Sequence, residues 1–274
     1  MTTVLTDRPA PPSTARIALA RVRLELRLFS RERQQLVFSF AYPVVMMVIF
    51  ASVLGHDERP GGIPFAQYFL AGIAATGIML VSFQAVGTAI AAEREAGLLA
   101  RLQVLGTPPV AYFAGKAGLV LVAATAQLAL LLPVARYGYD VPMPVDLAHW
   151  ATFGWVAALG ALAGTVLGVA VSALPGSASS TNTAVSAFAI VLQFFSGVFF
   201  GFLELPGWMQ QVAALFPLKW LTQGMRSAFL PERAGAFEVA GGWEHGRTAA
   251  VLLAWVIIGV MVCVRTFRWR RAEG

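Results

Sequence analysis

Six apolar blocks, residues 34–54, 65–92, 112–133, 147–174, 182–203 and 248–264, constrain this chain more than any motif in it. A hydrocarbon core of about 30 Å takes about 20 helical residues to cross, and each block reaches or nears that length. Backbone groups inside a bilayer must be satisfied within their own segment, so blocks of this kind fold as helices. The composition agrees: 58% of residues are hydrophobic and 12% are charged, against about 25% charged in an ordinary soluble domain. The mean hydropathy is +0.70. The sequence therefore predicts an all-α polytopic membrane protein with six transmembrane helices.

A net charge of +6 on a soluble domain would suit nucleic acid. Here the basic residues sit beside the apolar blocks, where they orient a chain in a membrane, and no nucleic-acid partner is expected. Arg8, Arg16, Arg21, Arg23, Arg27, Arg31 and Arg33 precede the first block; Arg94, Arg101 and Lys116 flank the connection after the second; Arg265, Arg268, Arg270 and Arg271 follow the last. The connections on the other side hold Arg59, Arg136, Lys219, Arg226, Arg233 and Arg247. The positive-inside bias then puts both termini and the 93–111 loop in the cytoplasm of a cell whose plasma membrane holds the chain. One cysteine, Cys263, excludes a disulfide framework and cysteine-based metal sites.

Residues 1–14 read as a disordered polar tail, 15–264 as the six-span domain and 265–274 as a basic cytoplasmic tail. Within the domain, Ile17, Leu24 and Leu28 form a stripe beside Arg16, Arg23 and Arg27, which predicts a basic amphipathic helix over 15–33 lying on membrane lipid. The connection 204–247 is too long for a turn and too aromatic for a solvated loop, with Trp208, Phe216, Trp220 and Phe229 between breaks at Pro206 and Pro217. It predicts short outer-leaflet helices that dip in and return between spans five and six. Ala157, Gly160, Ala161, Gly164 and Gly168 permit close helix approach, within one subunit or between two.

A charged island, EREAGLLARLQVLGTPPVAYFAGK, follows the second block. Leu98, Leu102 and Leu105 recur at helical spacing, while Glu93, Glu95 and Arg101 lie off that stripe. Pro108 and Pro109 end the run, because proline lacks an N–H and restrains the residue before it. One short amphipathic helix over 93–107 is expected, its leucines against the membrane domain. Its charged face either docks a soluble partner or only anchors the loop at the interface.

This island resembles the segment after the second span in permeases of the ATP-binding-cassette type-2 exporter family: Glu-Arg-Glu-x-Gly-Thr-Leu-x-x-Leu, then Thr-Pro or Ser-Pro, then Gly-Lys. Glu93, Arg94, Glu95, Gly97, Leu99, Leu102, Thr107, Pro108, Gly115 and Lys116 match in order, with Leu98 where threonine is frequent. Ser196-Gly197, Leu205-Pro206-x-Trp208, Pro217-Leu218 and Arg226 resemble the C-terminal pattern of the same family. The resemblance implies a permease subunit that exports a drug, an antibiotic or a lipid-like molecule, and it implies a role in efflux and antibiotic resistance. It also implies pairing with a second copy or a sibling permease, and ATP and Mg used by a separate ATPase subunit, with no cofactor on this chain. Coupling to that ATPase falls on Glu93, Arg94, Glu95, Gly97, Leu98, Leu102, Thr107 and Pro108. Export of a polysaccharide, or a non-transport membrane anchor, are the alternatives.

The residues agree on one negative. Gly115-Lys116 is followed by Ala117 and has Val110 five positions before Gly115, so no phosphate-cradling G-x-x-x-x-G-K-[ST] is present. ATP hydrolysis by this chain is not expected. Nor is another enzyme: His56, His149 and His245 are scattered, and Asp140 beside Tyr139 lacks the second carboxylate of an aspartyl dyad. No ionisable residue stands near the middle of a block, which disfavours ion coupling. Gln84, Gln127 and Gln193 are among the polar mid-block groups, each able to touch cargo or bond between helices; Gln84 and Gln193, with Phe194 and Phe195, are the candidates for an amphipathic path, and the two phenylalanines could instead simply pack.

Overall fold

The computed structural model describes residues 13–55, 57–173 and 177–266, without the side chains at 264 and 266; the expected tails at 1–12 and 267–274, and His56, lie outside these residues. Five helical runs are long and apolar enough to cross a membrane: α2 (Arg33–Leu54), the run Phe65–Glu95, α6 (Pro109–Tyr139), α7 (Leu147–Ser172) and α11 (His245–Thr266). The protein is thus all-α and multi-pass. The remaining expected block forms α8 (Ala178–Phe195), whose first turns, ASSTNT, are polar. Its 18 residues span about 27 Å at the α-helical rise. It ends at Phe195 and not near 203, because Ser196 and Gly197 turn the chain, with Gly197 at φ 71°.

α1 (Thr14–Arg31) begins one residue inside the expected tail, where the Ser13 hydroxyl accepts the Arg16 amide. Such an N-cap satisfies one of the helix's orphan donors. The helix lies along α6. Its inward face carries the buried Arg21 and Glu25, while Leu19, Leu24 and Leu28 stay exposed beside Arg16, Arg23 and Arg27. Gly115 and Gly118 permit this approach, since a Cβ at either would collide with Arg21 or Val22.

The second block is a central rod. α3 (Phe65–Met79), buried at every residue, runs through a π-helical turn at Leu80–Gln84 into α4 (Ala85–Glu95). Phe69, Ile73, Ile78 and Phe83 of this rod join Leu128 and Leu131 of α6 and Val156 of α7 in one apolar core. α7 receives the π turn in a notch: a side chain at Gly164 would strike Ser82, and one at Gly168 would strike the Phe83 carbonyl. Gly160 in turn faces Leu221. The small residues of the fourth block therefore pack within one chain.

A short antiparallel hairpin, β1 (Glu58–Arg59) with β2 (Ile63–Pro64), caps the start of α3. At the same end, after α8, lie α9 (Gly207–Ala214) and α10 (Pro217–Phe229), short helices where the aromatic connection predicted them. α10 is buried throughout, among α3, α7 and α11. Lys219, Gln223, Arg226 and Ser227 share one face of it by helical spacing, and Leu218, Leu221 and Met225 join the core.

Candidate functional site

The charged island folds differently from the single helix expected over 93–107. α4 carries the span on to Glu95, and the chain then turns at Gly97, whose φ of 70° an L side chain rarely adopts. A separate helix, α5 (Leu98–Val104), follows. It closes in a Schellman turn: the Gly106 amide donates to the Gln103 carbonyl and the Thr107 amide to the Leu102 carbonyl, both at 3.0 Å, with Gly106 at φ 66°. Pro108 then caps α6. Leu99 is the fully buried anchor of α5, Leu102 packs partly on the core, and Leu98 edges a cavity. Leu105, expected on the inward stripe, is instead exposed with Val104 and Arg101.

The three charges that end α4 all have partners within the chain, although Glu95 is itself exposed. Glu93 accepts from Lys116 Nζ at 2.6 Å and from the Tyr112 hydroxyl at 2.6 Å. Lys116 also donates to Glu25 at 2.8 Å, and Arg21 pairs with Glu25 at 2.8 Å and stands 3.9 Å from Glu93. Two cations and two carboxylates from α1, α4 and α6 thus balance in a buried cluster. Arg94 donates to the Ser172 carbonyl at the end of α7, and Glu95 accepts the Ala178 amide at the start of α8 at 2.7 Å. Burying a charge is costly unless it is paired and hydrogen-bonded, so this cluster is a structural commitment of the fold.

Beside it opens a cavity of about 660 Å³. Phe29 of α1, Phe38 of α2, Leu80 and Val81 of the π turn and Leu119 of α6 supply apolar walls, and Gln84, Thr88, Glu93, Lys116 and Asn182 supply polar edges. Of the four residues proposed for a cargo path, only Gln84 lines this space, and it also donates to Ser186 of α8 at 2.8 Å. Gln193 accepts from Tyr42 at 2.9 Å and ties α8 to α2. Phe194 stacks on Phe199, and Phe195 packs edge-on against Trp208. None of these three lines the cavity.

At the opposite end of the rod, Arg226 is a second buried centre. Its Nε donates to Glu238 at 2.6 Å, and its Nη1 donates to the Gly197 carbonyl at 3.0 Å and the Tyr68 hydroxyl at 3.2 Å. Lys219 lies 3.6 Å from the Trp220 ring centre and donates to Gln223. Burial holds its pKa down at about 8, against the partial relief of Glu238 and Glu244. Sequence reading passed over Arg21, Glu25, Tyr112 and Glu238. The one signal for the first two was an Arg-x-x-x-Glu pair one helical turn apart.

Among the described residues no group of three or more His, Cys, Asp and Glu could hold a metal ion. Asp140 is an exposed residue at the end of α6, and Tyr139 bonds to α2, so no acidic dyad forms there. A model of the ABC-2 type transporter family matches residues 19–230, from α1 to the end of α10. No curated protein matches the chain. Matched over most of its length, with the charged island and the buried helical core both inside the match, the chain belongs to the ABC-2 type transporter family and is a transmembrane permease component of an ATP-binding-cassette transporter.

Proposed function

We propose that this permease exports a hydrophobic or amphipathic small molecule, driven by ATP and Mg in a separate ATPase subunit. The cavity carries the reading: about 660 Å³ falls within the roughly 300–1,000 Å³ usual for small-molecule sites. Its aromatic and aliphatic walls suit an apolar body, and its amide and ionic edge suits a polar end. A polysaccharide strand would be better served by a polar, open channel. The exposed tip of α5, with Arg101, Val104 and Leu105, is the surface offered to the ATPase. That role moves away from Glu93 and Glu95, whose charges the fold already uses.

In this reading α8 is the fifth of six spans and both termini are cytoplasmic. α1 rests on the cytoplasmic leaflet, with Leu24 and Leu28 in acyl chains and Arg16, Arg23 and Arg27 among headgroups. The exposed apolar faces of α2 and α8, including Val45, Ile49, Val53, Ile190 and Val191, meet lipid or a paired permease. The test is purification from native membranes with the ATPase that accompanies the chain, then reconstitution with a panel of fluorescent amphipathic dyes. Dye-stimulated hydrolysis with ATP-dependent dye movement supports export. Stimulation by oligosaccharides alone would transfer the reading to polysaccharide export, and hydrolysis insensitive to both would leave an anchor.

A further inference from the structure

We infer that Arg94 and Glu95 are positioning residues that tie the α4–α5 unit to the end of α7 and to the start of α8 respectively, so that one lever drives two separate outputs. The inference rests on the proposed meeting of the α5 tip with an ATPase. Neighbouring side chains at the end of α4 reach the facing ends of two helices. Arg94 donates to the Ser172 carbonyl at the C-terminus of α7, and Glu95 accepts the Ala178 amide at the N-terminus of α8. A cation at a helix C-terminus and an anion at an N-terminus both complement the helix macrodipole. Exchanging the two charges would make both contacts unfavourable.

The rest of α8 reinforces the link. It packs chiefly on α4 and the π turn, with lesser contact to α9, α7 and α10, and Gln84 bonds to its Ser186. α8 therefore rides on the same rod that ends in Arg94 and Glu95. Glu93 faces elsewhere, to Lys116 and Tyr112 of α6 and toward Arg21 of α1. A push on α5 reaches α4 through the Gly97 turn and divides there, to α6 and α1 through Glu93 and to α7 and α8 through its two neighbours. Asn182, one turn into α8, lines the cavity. The second output thus ends on the cavity wall.

The test uses the full chain with Cys263→Ser and pairs of spin labels at exposed positions. One pair joins Val104 to Ile190 of α8, and the other joins Val104 to Val122 of α6. Glu95→Ala should broaden the first distance distribution and leave the second narrow, Glu93→Gln should do the reverse, and Glu95→Asp should restore the first. Broadening of both pairs, or of neither, by Glu95→Ala overturns the inference. In complex with the co-purifying ATPase, labels at Val122 and Ile190 should shift on adding ATP. Glu95→Ala should keep the ATPase bound and lose that shift. Loss of ATPase binding would place Glu95 in the docking surface and overturn the inference. A wild-type chain that binds no ATPase would overturn the proposed function, while the permease-only distances still decide the clamp.

Discussion

The two buried charge clusters differ in how many ways each charge is held. Around Glu93 the charges come from three helices, and each carboxylate has two cations within 4 Å, Lys116 and Arg21. Around Arg226 one guanidinium satisfies Glu238, Tyr68 and Gly197 by itself. The first cluster borders a cavity and joins α1, α4 and α6. The second closes the far end of the rod, where Arg59 adds a bond to the Phe199 carbonyl and a pair with Glu204. Shared partners leave a carboxylate paired when one cation is lost and a single hub does not, so the cluster near α5 has a slack that the one at α10 lacks.

Removing the hub is the most severe way to test this contrast. Arg226→Leu leaves Glu238 buried without its cation and should cost about 3–5 kcal/mol, read as a large drop in melting temperature in detergent. Lys116→Met should cost less, about 2–3 kcal/mol, because Arg21 remains beside both carboxylates. A larger loss for Lys116→Met than for Arg226→Leu would reverse the comparison. Glu93→Lys, which sets like charges together, should lower the yield of folded protein.

Lys219 sharpens the contrast in the opposite direction. Its folded pKa of about 8 lies below the ordinary 10.5 because burial disfavours the ammonium, so the folded protein holds that proton less tightly than the unfolded chain. The penalty is fully present below pH 8 and is relieved as pH rises towards 10.5. Lys219→Met should therefore stabilise the protein by about 2 kcal/mol at pH 7, and the gain should shrink in melts above pH 8. The smallest effect on folding belongs to the α5 tip. Val104→Ser with Leu105→Ser should change stability by within about 0.5 kcal/mol, yet weaken ATPase co-purification.

Five of the six expected spans were legible because burial in lipid writes itself as length and apolarity. The helices of the 204–247 connection were legible because proline and aromatic residues mark their breaks and surroundings. The destinations of Glu93, Arg94 and Glu95 were not. A charge beside an apolar stripe looks solvent-facing in one dimension, and its partners Lys116 and Ala178 are set by tertiary packing. Gly97 and Gly106 carried the end of each helix, but the leucine periodicity across Gly97 masked the break. The true end of α8 was hidden by the apolar run from Val198 to Phe202, which continues past the helix with Val198, Phe199 and Phe202 buried and Phe200 exposed.

The π turn at Leu80–Gln84 sets the azimuth of everything beyond it. A π turn takes one residue more than an α turn, and one residue is about 100° around a helix axis. Had the rod continued as plain α-helix, Glu93 would point roughly where Arg94 does, at the carbonyl end of α7, and Arg94 roughly where Glu95 does, at the amide end of α8, each meeting the wrong end of a helix dipole. The three-way distribution of Glu93, Arg94 and Glu95 is thus indexed by a phase offset ten residues upstream, seated in the notch at Gly164 and Gly168. A one-residue deletion in that turn would make it an α turn and keep each charge aimed as it is, whereas the same deletion between Ala85 and Ala92, in plain α-helix, would turn all three by about 100° and aim each at the wrong helix.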